Sequence, residues 1–293
     1  MGEVVSGRQA HKFCNTDPNM MPLVTVIMPV YNGSKWVEKA IDSVLVQSFS
    51  NFEFMIINDF SIDNTRDIIL KFKDSRIKYF ENELNLGVQK TRNLALIKVQ
   101  GEYIAEIDQD DEWIDINKLQ KQVNFLFNNS DYALVGSGVI LIGNDGRELT
   151  RFLMPSTDQE IRSKMLRANP FIHSSVMFRA KDVKLVGGYS VGKMSEDHDL
   201  WLRLGKLGKL HNFNEFSVKY LYSTSGYNSQ DKIKRLMQNI KFAHEFKDFY
   251  PDYQIAILSG WIKVLFYPLF NLLPIKFRGF FLRLHKKLLM SIK

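Results

Sequence analysis

Cysteine is almost absent from the 293-residue chain, which contains only Cys14. A single thiol cannot form an internal disulfide, and this is typical of proteins that fold in a reducing compartment. Residues 1–22 lack the apolar stretch of a secretory signal and are predicted to be a flexible lead-in. No fixed-period repeat or low-complexity tract is present, and 45% of the residues are hydrophobic. These features favour a folded, cytoplasmic protein.

Acidic residues are absent after Asp252, although the chain contains 32 of them. The 39 Lys and Arg residues give a net charge of +7, and seven of these cations follow Asp252. The chain up to Asp252 is therefore balanced in charge, which argues against a broad nucleic-acid-binding surface. The excess charge indicates a local basic segment, and we predict a C-terminal helical region over 226–293.

A glycine-rich phosphate loop is also missing. The first predicted strand, 23–31, is followed by the sequence PVYNGSKW (29–36) and not by G-x-G-x-x-G. This absence argues against a dehydrogenase that binds a dinucleotide. The basic glycine-rich loop of a sugar-phosphate nucleotidyltransferase is absent as well, which makes that class the weaker enzymatic alternative.

Apolar strands alternate with amphipathic helices through the first half of the chain. The predicted strands are 23–31, 52–58, 77–81 and 102–108. This alternation predicts βαβ units and a parallel sheet, whose ligands bind at the carboxyl ends of the strands. After about residue 130 the pattern becomes mixed. It predicts a hairpin over 132–153, strands over 171–179, 209–213 and 216–223, and helices over 157–167, 196–208 and 229–249.

The most acidic stretch, IDQDDEW (107–113), follows a predicted buried strand. Strand geometry places Asp108 and Asp110 on one side and Gln109 on the other. Two carboxylates at this position suit Mg²⁺ or Mn²⁺, which bind few protein ligands together with substrate phosphates. A solvated loop that caps the next helix through Asp111 or Asp115 explains the same residues. The motif alone leaves both interpretations open.

Seven segments in a fixed order resemble the motifs of family 2 glycosyltransferases of the GT-A fold. They are VTVIMPVYNG (24–33), FEFMIINDFSIDNT (52–65), NLGVQKTRNLAL (85–96), GEYIAEIDQDDEW (101–113), FIHSSVMFR (171–179), VGGY (186–189) and EDHDLWLRL (196–204). The resemblance implies an α/β GT-A domain over 23–225, with a mixed, mainly parallel sheet flanked by helices. It divides this domain into a nucleotide-binding half, 23–115, and an acceptor half, 116–225.

The resemblance implies a donor site for a nucleotide-diphosphate sugar, usually a UDP-sugar. Asp59 matches the residue that reads the base, and Asp108 matches the carboxylate near the ribose. Asp110 matches the carboxylate that binds the metal, Mn²⁺ or Mg²⁺, on the diphosphate. The same nucleotide pocket is implied for Pro29, Tyr31 and Asn32.

One part of the donor motif departs from the family pattern. The family usually has Asp-Asp-Gly where this chain has Asn58, Asp59 and Phe60. Asn58 keeps a hydrogen-bonding head but lacks the charge, and Phe60 replaces the glycine of a tight turn. We therefore expect a base-binding loop of different shape.

The acceptor side is implied by the later motifs. Asp197 matches the catalytic base, which takes the proton of the acceptor hydroxyl. Glu196 is implied to orient the acceptor or Asp197, although Ser195 followed by acidic residues is also an ordinary helix cap. His173 is implied to line the acceptor pocket, although a lone histidine in an apolar strand is more often a core residue. Arg92 is expected behind the nucleotide loop, without a donor contact.

The implied activity is inverting, metal-dependent, hexosyltransferase-type transfer from a UDP-sugar to an acceptor hydroxyl. The implied acceptor is a saccharide or a lipid-linked molecule of cell-surface polysaccharide or glycolipid assembly. A non-catalytic nucleotide-sugar-binding protein is the alternative from another class. Such a protein would need Asp59 and Asp110 but not Asp197.

The C-terminal segment combines an apolar and a basic part. Residues 255–274 are apolar apart from Lys263, but Pro268 interrupts them and their length is close to the minimum for a membrane span. In 276–293, aromatic residues and leucines recur at helical spacing between cations, which is typical of an interfacial amphipathic helix. We predict peripheral contact of 255–293 with the inner face of the plasma membrane. Packing on the domain or on a second subunit remains the alternative.

Overall fold

A computed structural model describes residues 21–222 and 232–272. Its strands are β1 (Val24–Val30), β2 (Phe52–Asn58), β3 (Ile77–Glu81), β4 (Tyr103–Glu106), β5 (Glu112–Trp113), β6 (Tyr132–Ile142), β7 (Glu148–Phe152), β8 (Met177–Arg179) and β9 (Lys209–Leu221). Its helices are α1 (Val37–Leu45), α2 (Thr65–Lys71), α3 (Val88–Lys98), α4 (Lys118–Asn128), α5 (Asp158–Met165), α6 (Ala180–Leu185), α7 (Glu196–Leu204), α8 (Lys232–Glu245) and α9 (Tyr253–Leu272).

In the described residues the nine strands form one sheet in the order β3-β2-β1-β4-β8-β6-β9-β5, with β7 paired to β6. The strands β3, β2, β1 and β4 are parallel. β8 is antiparallel to both β4 and β6, whereas β6 and β9 are parallel. The predicted α/β class, with a mixed sheet and flanking helices, is therefore confirmed.

Both faces of the sheet are covered, which explains why β1 and β2 are apolar along their whole length. In β1, Val26 and Met28 pack into one hydrophobic cluster, while Ile27 packs into a second cluster on the opposite face. Successive side chains of a strand point to opposite faces. Only a strand buried on both faces accepts apolar residues at every position.

Several predicted boundaries were wrong, and in two places the difference changes the local structure. Residues 171–176 are not strand, because a 3₁₀ turn at His173–Ser175 precedes β8. The Ser175 hydroxyl donates to the Ile172 carbonyl, a local bond that competes with strand pairing. The two strands expected over 209–213 and 216–223 are the single strand β9, which passes a bulge at residues 214 and 215 while it stays paired to β6.

The C-terminal helices α8 and α9 pack against each other. A Cβ atom at Gly260 would lie 2.6 Å from Ile240 Cγ1, so glycine is required for this close approach. Pro268 does not end α9, which continues to Leu272. None of the helices in the described ranges is long and apolar enough to cross a membrane. The predicted lead-in up to residue 20 and the predicted helix over 276–293 lie outside the described residues.

Candidate active site

The carboxyl ends of three adjacent parallel strands form one edge of the sheet. Val30 of β1 pairs with Asn58 of β2, and Ile27 of β1 pairs with Glu106 of β4. The next residues on each strand therefore share this edge. They are the residues from Tyr31, Asp59 and Asp108 onward, and open α/β sheets bind ligands at such an edge.

The loops after β1 and β2 are joined by hydrogen bonds. The Asn32 backbone N–H donates to Ser61 Oγ at 3.0 Å, and Asn32 Oδ1 accepts from the Ile62 N–H at 2.9 Å. Gly33 N–H donates to Thr65 Oγ1 at 2.7 Å. Asn32 has a φ of 49°, a left-handed conformation that asparagine tolerates well. Pro29 is buried inside β1, and its predicted nucleotide contact stays a prediction.

The Asp59 carboxylate organises the start of α3. It accepts hydrogen bonds from Asn82 Nδ2 at 2.8 Å and from the backbone N–H groups of Leu86 and Gly87 at 2.9 Å each. Asp59 is only 3% exposed. The structure thus shows an anchor for the loop before α3, and the predicted role of Asp59 in base recognition stays a prediction.

The departure at Asn58 and Phe60 has a structural explanation. Asn58 Nδ2 donates to Tyr79 Oη at 3.0 Å, while Asn58 Oδ1 accepts from the Ser61 N–H at 3.0 Å. An aspartate could not supply the first of these bonds. Phe60 has a φ of 64° in the left-handed region, where glycine is favoured, and its side chain is half-exposed.

Gln109 connects the acidic turn to the loop after β1. The Tyr31 N–H donates to Gln109 Oε1 at 2.8 Å, and Gln109 Nε2 donates to the Tyr31 carbonyl at 3.0 Å. A Cβ atom at Gly33 would lie 2.4 Å from the same Oε1 atom. Gln109 faces this loop, but the strand alternation predicted for residues 108–110 was wrong, because β4 ends at Glu106 and residues 108–111 form a turn.

Arg92 lies at the centre of the site, which corrects the expectation that it lies behind the nucleotide loop. Its guanidinium donates to Asp108 Oδ1 at 2.5 Å and to Glu196 Oε1 at 3.3 Å, and its Nε is 3.8 Å from Glu106 Oε2. Arg92 is 4% exposed. Although burial opposes the charge, Asp108 and the other carboxylates hold the pKa of Arg92 above its ordinary value. One buried cation therefore binds acidic residues from β4 and α7.

His173 belongs to the same buried network. Its Nε2 lies 3.0 Å from Tyr189 Oη, which donates to Glu106 Oε1 at 3.0 Å. Its Nδ1 lies 3.6 Å from Asp108 Oδ1. Burial and the Arg92 charge oppose protonation, but Asp108 and Glu106 outweigh them and raise the pKa of His173. His173 thus contacts the donor-side carboxylate, and its acceptor contact stays a prediction.

Asp108 and Asp110 differ electrostatically. Burial acts to raise the pKa of Asp108, but Arg92 and His173 hold it well below its ordinary value. Burial and the neighbouring Asp108 charge raise the pKa of Asp110 to about 6, and no ion pair involves Asp110 within the described ranges. A divalent cation at Asp110 would supply the positive charge that this carboxylate lacks.

The donor set fits a cation that is shared with a substrate. The described residues hold no group of three or more His, Cys, Asp or Glu side chains arranged as a metal site. Mg²⁺ and Mn²⁺ in phosphate-transfer sites use one or two carboxylates and complete their shell with phosphate and water oxygens. Asp110, with Asp108 beside it, has the chemistry of such a site.

Asp111 was expected to face solvent or to cap a helix, and this is wrong. It is 3% exposed, and its carboxylate accepts hydrogen bonds from Ser174 Oγ and, at 3.1 Å, from the Leu221 N–H. Ser174 Oγ in turn accepts from the Asp108 N–H at 2.9 Å. Asp111 therefore connects the acidic turn to the 3₁₀ turn and to the end of β9, partners too distant in sequence for a local pattern to reveal.

Asp197 is at the start of α7 and is partly exposed. Asn169 Nδ2 donates to one of its oxygens at 2.7 Å. Glu196, beside it, is 7% exposed and binds Arg92, so it positions the start of α7 from inside. The helix-cap interpretation was wrong for Ser195, whose φ is 57° and whose side chain makes no capping bond.

Three residues near these carboxylates were missed by sequence reasoning. Asn169 binds Asp197, and Tyr189 bridges His173 and Glu106. Tyr220, near the end of β9, has its pKa raised by burial and by the charges of Asp111, Asp108, Asp110 and Asp197. Tyr189 lies in the quoted VGGY motif, whereas the other two carry no local signal.

A cleft of about 300 Å³ opens beside the site between residues 86–90 and 191–194. Gln89 connects its two walls, because Gln89 Oε1 accepts from the Gly192 N–H at 2.6 Å and Gln89 Nε2 donates to the Lys193 carbonyl at 2.7 Å. One wall is the start of α3 and the other precedes α7, so the cleft lies between the elements that carry Arg92 and Asp197.

Two solved structures share this fold. TarS of S. aureus, solved with UDP-GlcNAc, has a TM-score of 0.64 and 18% identity over 86% of this chain and 76% of that one. The mannosyltransferase PcManGT from Pyrobaculum calidifontis, solved with GDP-Man and Mn²⁺, has a TM-score of 0.62 and 17% identity over 94% of this chain and 83% of that one. The fold is therefore that of the GT-A glycosyltransferases.

The sequence comparison identifies the family within this class. Residues 25–186 match the model of glycosyl transferase family 2. The chain is 35% identical over 217 residues to the β-1,3-glucosyltransferase WfgD of Escherichia coli, covering 73% of this chain and 82% of that protein. The full name of WfgD gives UDP-Glc as donor and α-D-GlcNAc-diphosphoundecaprenol as acceptor. This chain belongs to glycosyltransferase family 2 and is a glycosyltransferase that uses a nucleotide sugar.

Proposed function

We propose that the chain catalyses inverting, metal-dependent transfer of a sugar from a UDP-sugar to an acceptor hydroxyl. The observation that carries this proposal is the position of Arg92, which binds Asp108 at 2.5 Å and Glu196 at 3.3 Å. Asp110 follows Asp108 by two residues, and Asp197 follows Glu196 directly. A donor-side carboxylate and a candidate base therefore belong to one site.

The donor is proposed to bind at the carboxyl edge of the sheet. Asp59 would recognise the base and Asp108 the ribose, in a pocket lined by Pro29, Tyr31 and Asn32. Asp110 would bind Mn²⁺ or Mg²⁺, which supplies charge stabilisation on the departing diphosphate. Uridine is supported by the UDP-Glc donor of WfgD, the relative that shares 35% identity.

The chemical step is proposed to use Asp197 as general base. The acceptor hydroxyl gives its proton to Asp197 while its oxygen bonds to the anomeric carbon. The bond from that carbon to the nucleotide diphosphate breaks on the opposite face, so the configuration inverts. Asn169 occupies one oxygen of Asp197, and the partial exposure of Asp197 gives an acceptor access to it.

The acceptor is proposed to be a saccharide or a lipid-linked molecule of cell-surface polysaccharide or glycolipid assembly, at the inner face of the plasma membrane. The undecaprenol-linked acceptor of WfgD supports this assignment. We further propose that 23–115 forms the donor half and 116–225 the acceptor half. Glu196 and His173 would act there by positioning α7 and the 3₁₀ turn.

The test combines a panel of nucleotide sugars with two variants. Wild-type protein is assayed with each donor, with and without Mn²⁺, using UDP release and thermal shift. Asp197→Asn is expected to bind UDP like the wild type and to lose about 100-fold or more in transfer rate, because it removes the base. Asp110→Asn is expected to lose the metal-dependent part of donor binding.

Asp145→Asn is the matched control, because Asp145 is an exposed carboxylate in the turn before β7. It is expected to behave like the wild type in every assay. A wild-type transfer rate in Asp197→Asn would exclude this residue as the base. Donor binding without any turnover by the wild type would favour the non-catalytic alternative.

A further inference from the structure

One face of α9 is apolar and exposed. It carries six large, uncharged side chains that are 43–65% exposed to solvent. The exposed fraction is lowest for Trp261, at 43%, and highest for Leu265, at 65%. Their spacing of three and four residues puts them on one side of the helix. We call this side the α9 face, and it consists of Ile255, Leu258, Trp261, Ile262, Leu265 and Phe266.

The opposite side of α9 is packed, so the orientation of the helix is determined. Ala256 is buried, and Gly260 approaches Ile240 of α8. Lys263 Nζ lies 3.5 Å from the Arg167 carbonyl, just after α5. No element within residues 21–222 and 232–272 covers the α9 face. A contiguous exposed apolar face of this kind marks an interaction surface.

Charge selects among the possible occupants of this face. Seven cations and no acidic residue follow Asp252 in the sequence. A second copy of the chain would bring two such basic segments together at a symmetric interface, which is unfavourable for like charges. An anionic lipid surface offers both an apolar layer and negative headgroups.

We propose that the α9 face docks on an anionic lipid bilayer, with the helix in the plane of the interface. This inference rests on the proposed function only for the acceptor it implies. Arg167, which contacts α9, stands two residues before Asn169, which binds Asp197. Docking through α9 therefore holds the candidate base on the protein-facing side of the docked helix, two residues along the chain from a contact with it, and this placement favours a lipid-linked acceptor.

The test uses the full chain and vesicles without donor or acceptor. Vesicles of phosphatidylcholine, with or without phosphatidylglycerol, are mixed with wild-type protein and sedimented. Binding to the anionic vesicles is expected, and Leu258→Gln with Leu265→Gln is expected to lower the partition coefficient by about tenfold, because it removes apolar surface from the interface. The matched control is Ile97→Gln with Leu185→Gln, on α3 and α6, where both side chains are even more exposed than Leu258 and Leu265.

Trp261 provides a second readout. Lipids that carry a quencher in the acyl chain are expected to quench part of the wild-type fluorescence, and Trp261→Phe is expected to abolish this effect. The three other tryptophans, which are the buried Trp113 and Trp201 and the partly exposed Trp36, remain in Trp261→Phe and provide its background signal.

Three outcomes would overturn the proposal. They are no vesicle binding by the wild type, equal binding by the α9 variant, or a concentration-dependent dimer that the α9 variant abolishes. UDP release with a water-soluble acceptor is measured separately on the same variants. Vesicle binding without transfer would contradict the proposed function alone, and transfer without vesicle binding would contradict this inference alone.

Discussion

At the scale of single residues, Gln109 shows how a side chain inside the acidic motif shapes the donor site. Its amide makes two hydrogen bonds to the backbone of Tyr31, one as donor and one as acceptor. Only an amide supplies both at this position. The turn that carries Asp108 and Asp110 is therefore held against the loop that is proposed to contact the nucleotide.

Replacing Gln109 is expected to weaken nucleotide binding more than stability. In Gln109→Glu the Tyr31 carbonyl loses its donor and faces a carboxylate. We expect UDP affinity in Mn²⁺ to fall by about tenfold, which corresponds to about 1.4 kcal/mol. Isothermal titration calorimetry measures the affinity, and urea unfolding measures the stability.

Gln120→Glu is the control for this prediction. The Gln120 amide also donates a hydrogen bond, in this case to Asn124 on the same helix, α4. Neither residue belongs to the candidate site. Its UDP affinity is expected to match that of the wild type. An unchanged affinity in Gln109→Glu would show that the bridge to Tyr31 has no role in donor binding.

At the scale of secondary structure elements, α4 carries a buried amine in its first turn. Lys118 is 2% exposed, donates to Gln122 Oε1 at 2.9 Å and lies 4.0 Å from the centre of the Trp113 ring. Burial lowers the pKa of Lys118 to about 7, although the nearby Asp115 charge acts to raise it. The ring and the amide give this amine polar contacts without a paired carboxylate.

This amine predicts a pH-dependent stability. Between about pH 7 and pH 10 the folded protein binds fewer protons at Lys118 than the unfolded chain does, so the free energy of unfolding rises with pH. Lys118→Met removes the titrating group. We expect the rise across this window to be smaller in the variant by about 2–3 kcal/mol, measured by urea unfolding at each pH.

Lys121→Met on the same helix is the control for the pH dependence. Lys121 is half-exposed, and its hydrogen bonds to Asp115 and Glu215 raise its pKa. A group with a raised pKa keeps its full stabilising effect below the pKa of the unfolded chain, about 10.4 for lysine, and loses it only as the pH rises through the higher folded value, so this variant should retain the rise between pH 7 and pH 10. If the free energy of unfolding rose equally with pH in the wild type and in Lys118→Met, the Lys118 amine would be charged in the folded protein.

At the scale of the whole molecule, Arg92 joins elements that are far apart in the chain. It lies on α3, and its carboxylate partners come from the end of β4 and from the start of α7. Because all four groups are buried or half-buried, removing the guanidinium leaves carboxylates in a poorly solvated site. Breaking a buried ion pair in this way is far more costly than breaking an exposed one.

Arg92→Met is expected to lower the free energy of unfolding by about 3–5 kcal/mol. Arg151→Met, which breaks the exposed pair with Glu148 on β7, is expected to have a much smaller effect. Both values come from urea unfolding monitored by circular dichroism. Similar costs for the two variants would indicate that the site carboxylates find other partners or become protonated without strain.

The order of strands and helices from β1 to β4, the hairpin β6–β7 and the family could be predicted from the sequence, whereas β5 and α4 were missed. These features depend on local periodicity and on motifs in a fixed order. Boundaries failed where local hydrogen bonds or a bulge changed the path, as at His173–Ser175 and within β9. Asp59, Asp108, Asp110 and Asp197 could be named in advance because each lies in a motif.

Which of these side chains meet, and what surrounds them, became apparent from the tertiary contacts. The place of Arg92 among carboxylates from β4 and α7, the burial of Asp111 and the bond between Gln109 and Tyr31 all join segments far apart in the chain. The exposed face of α9 likewise depends on which side packs on α8. Periodicity shows which face of a helix or strand is apolar. The partners that a side chain meets across the fold depend on how the elements pack, and a local sequence pattern does not contain that information.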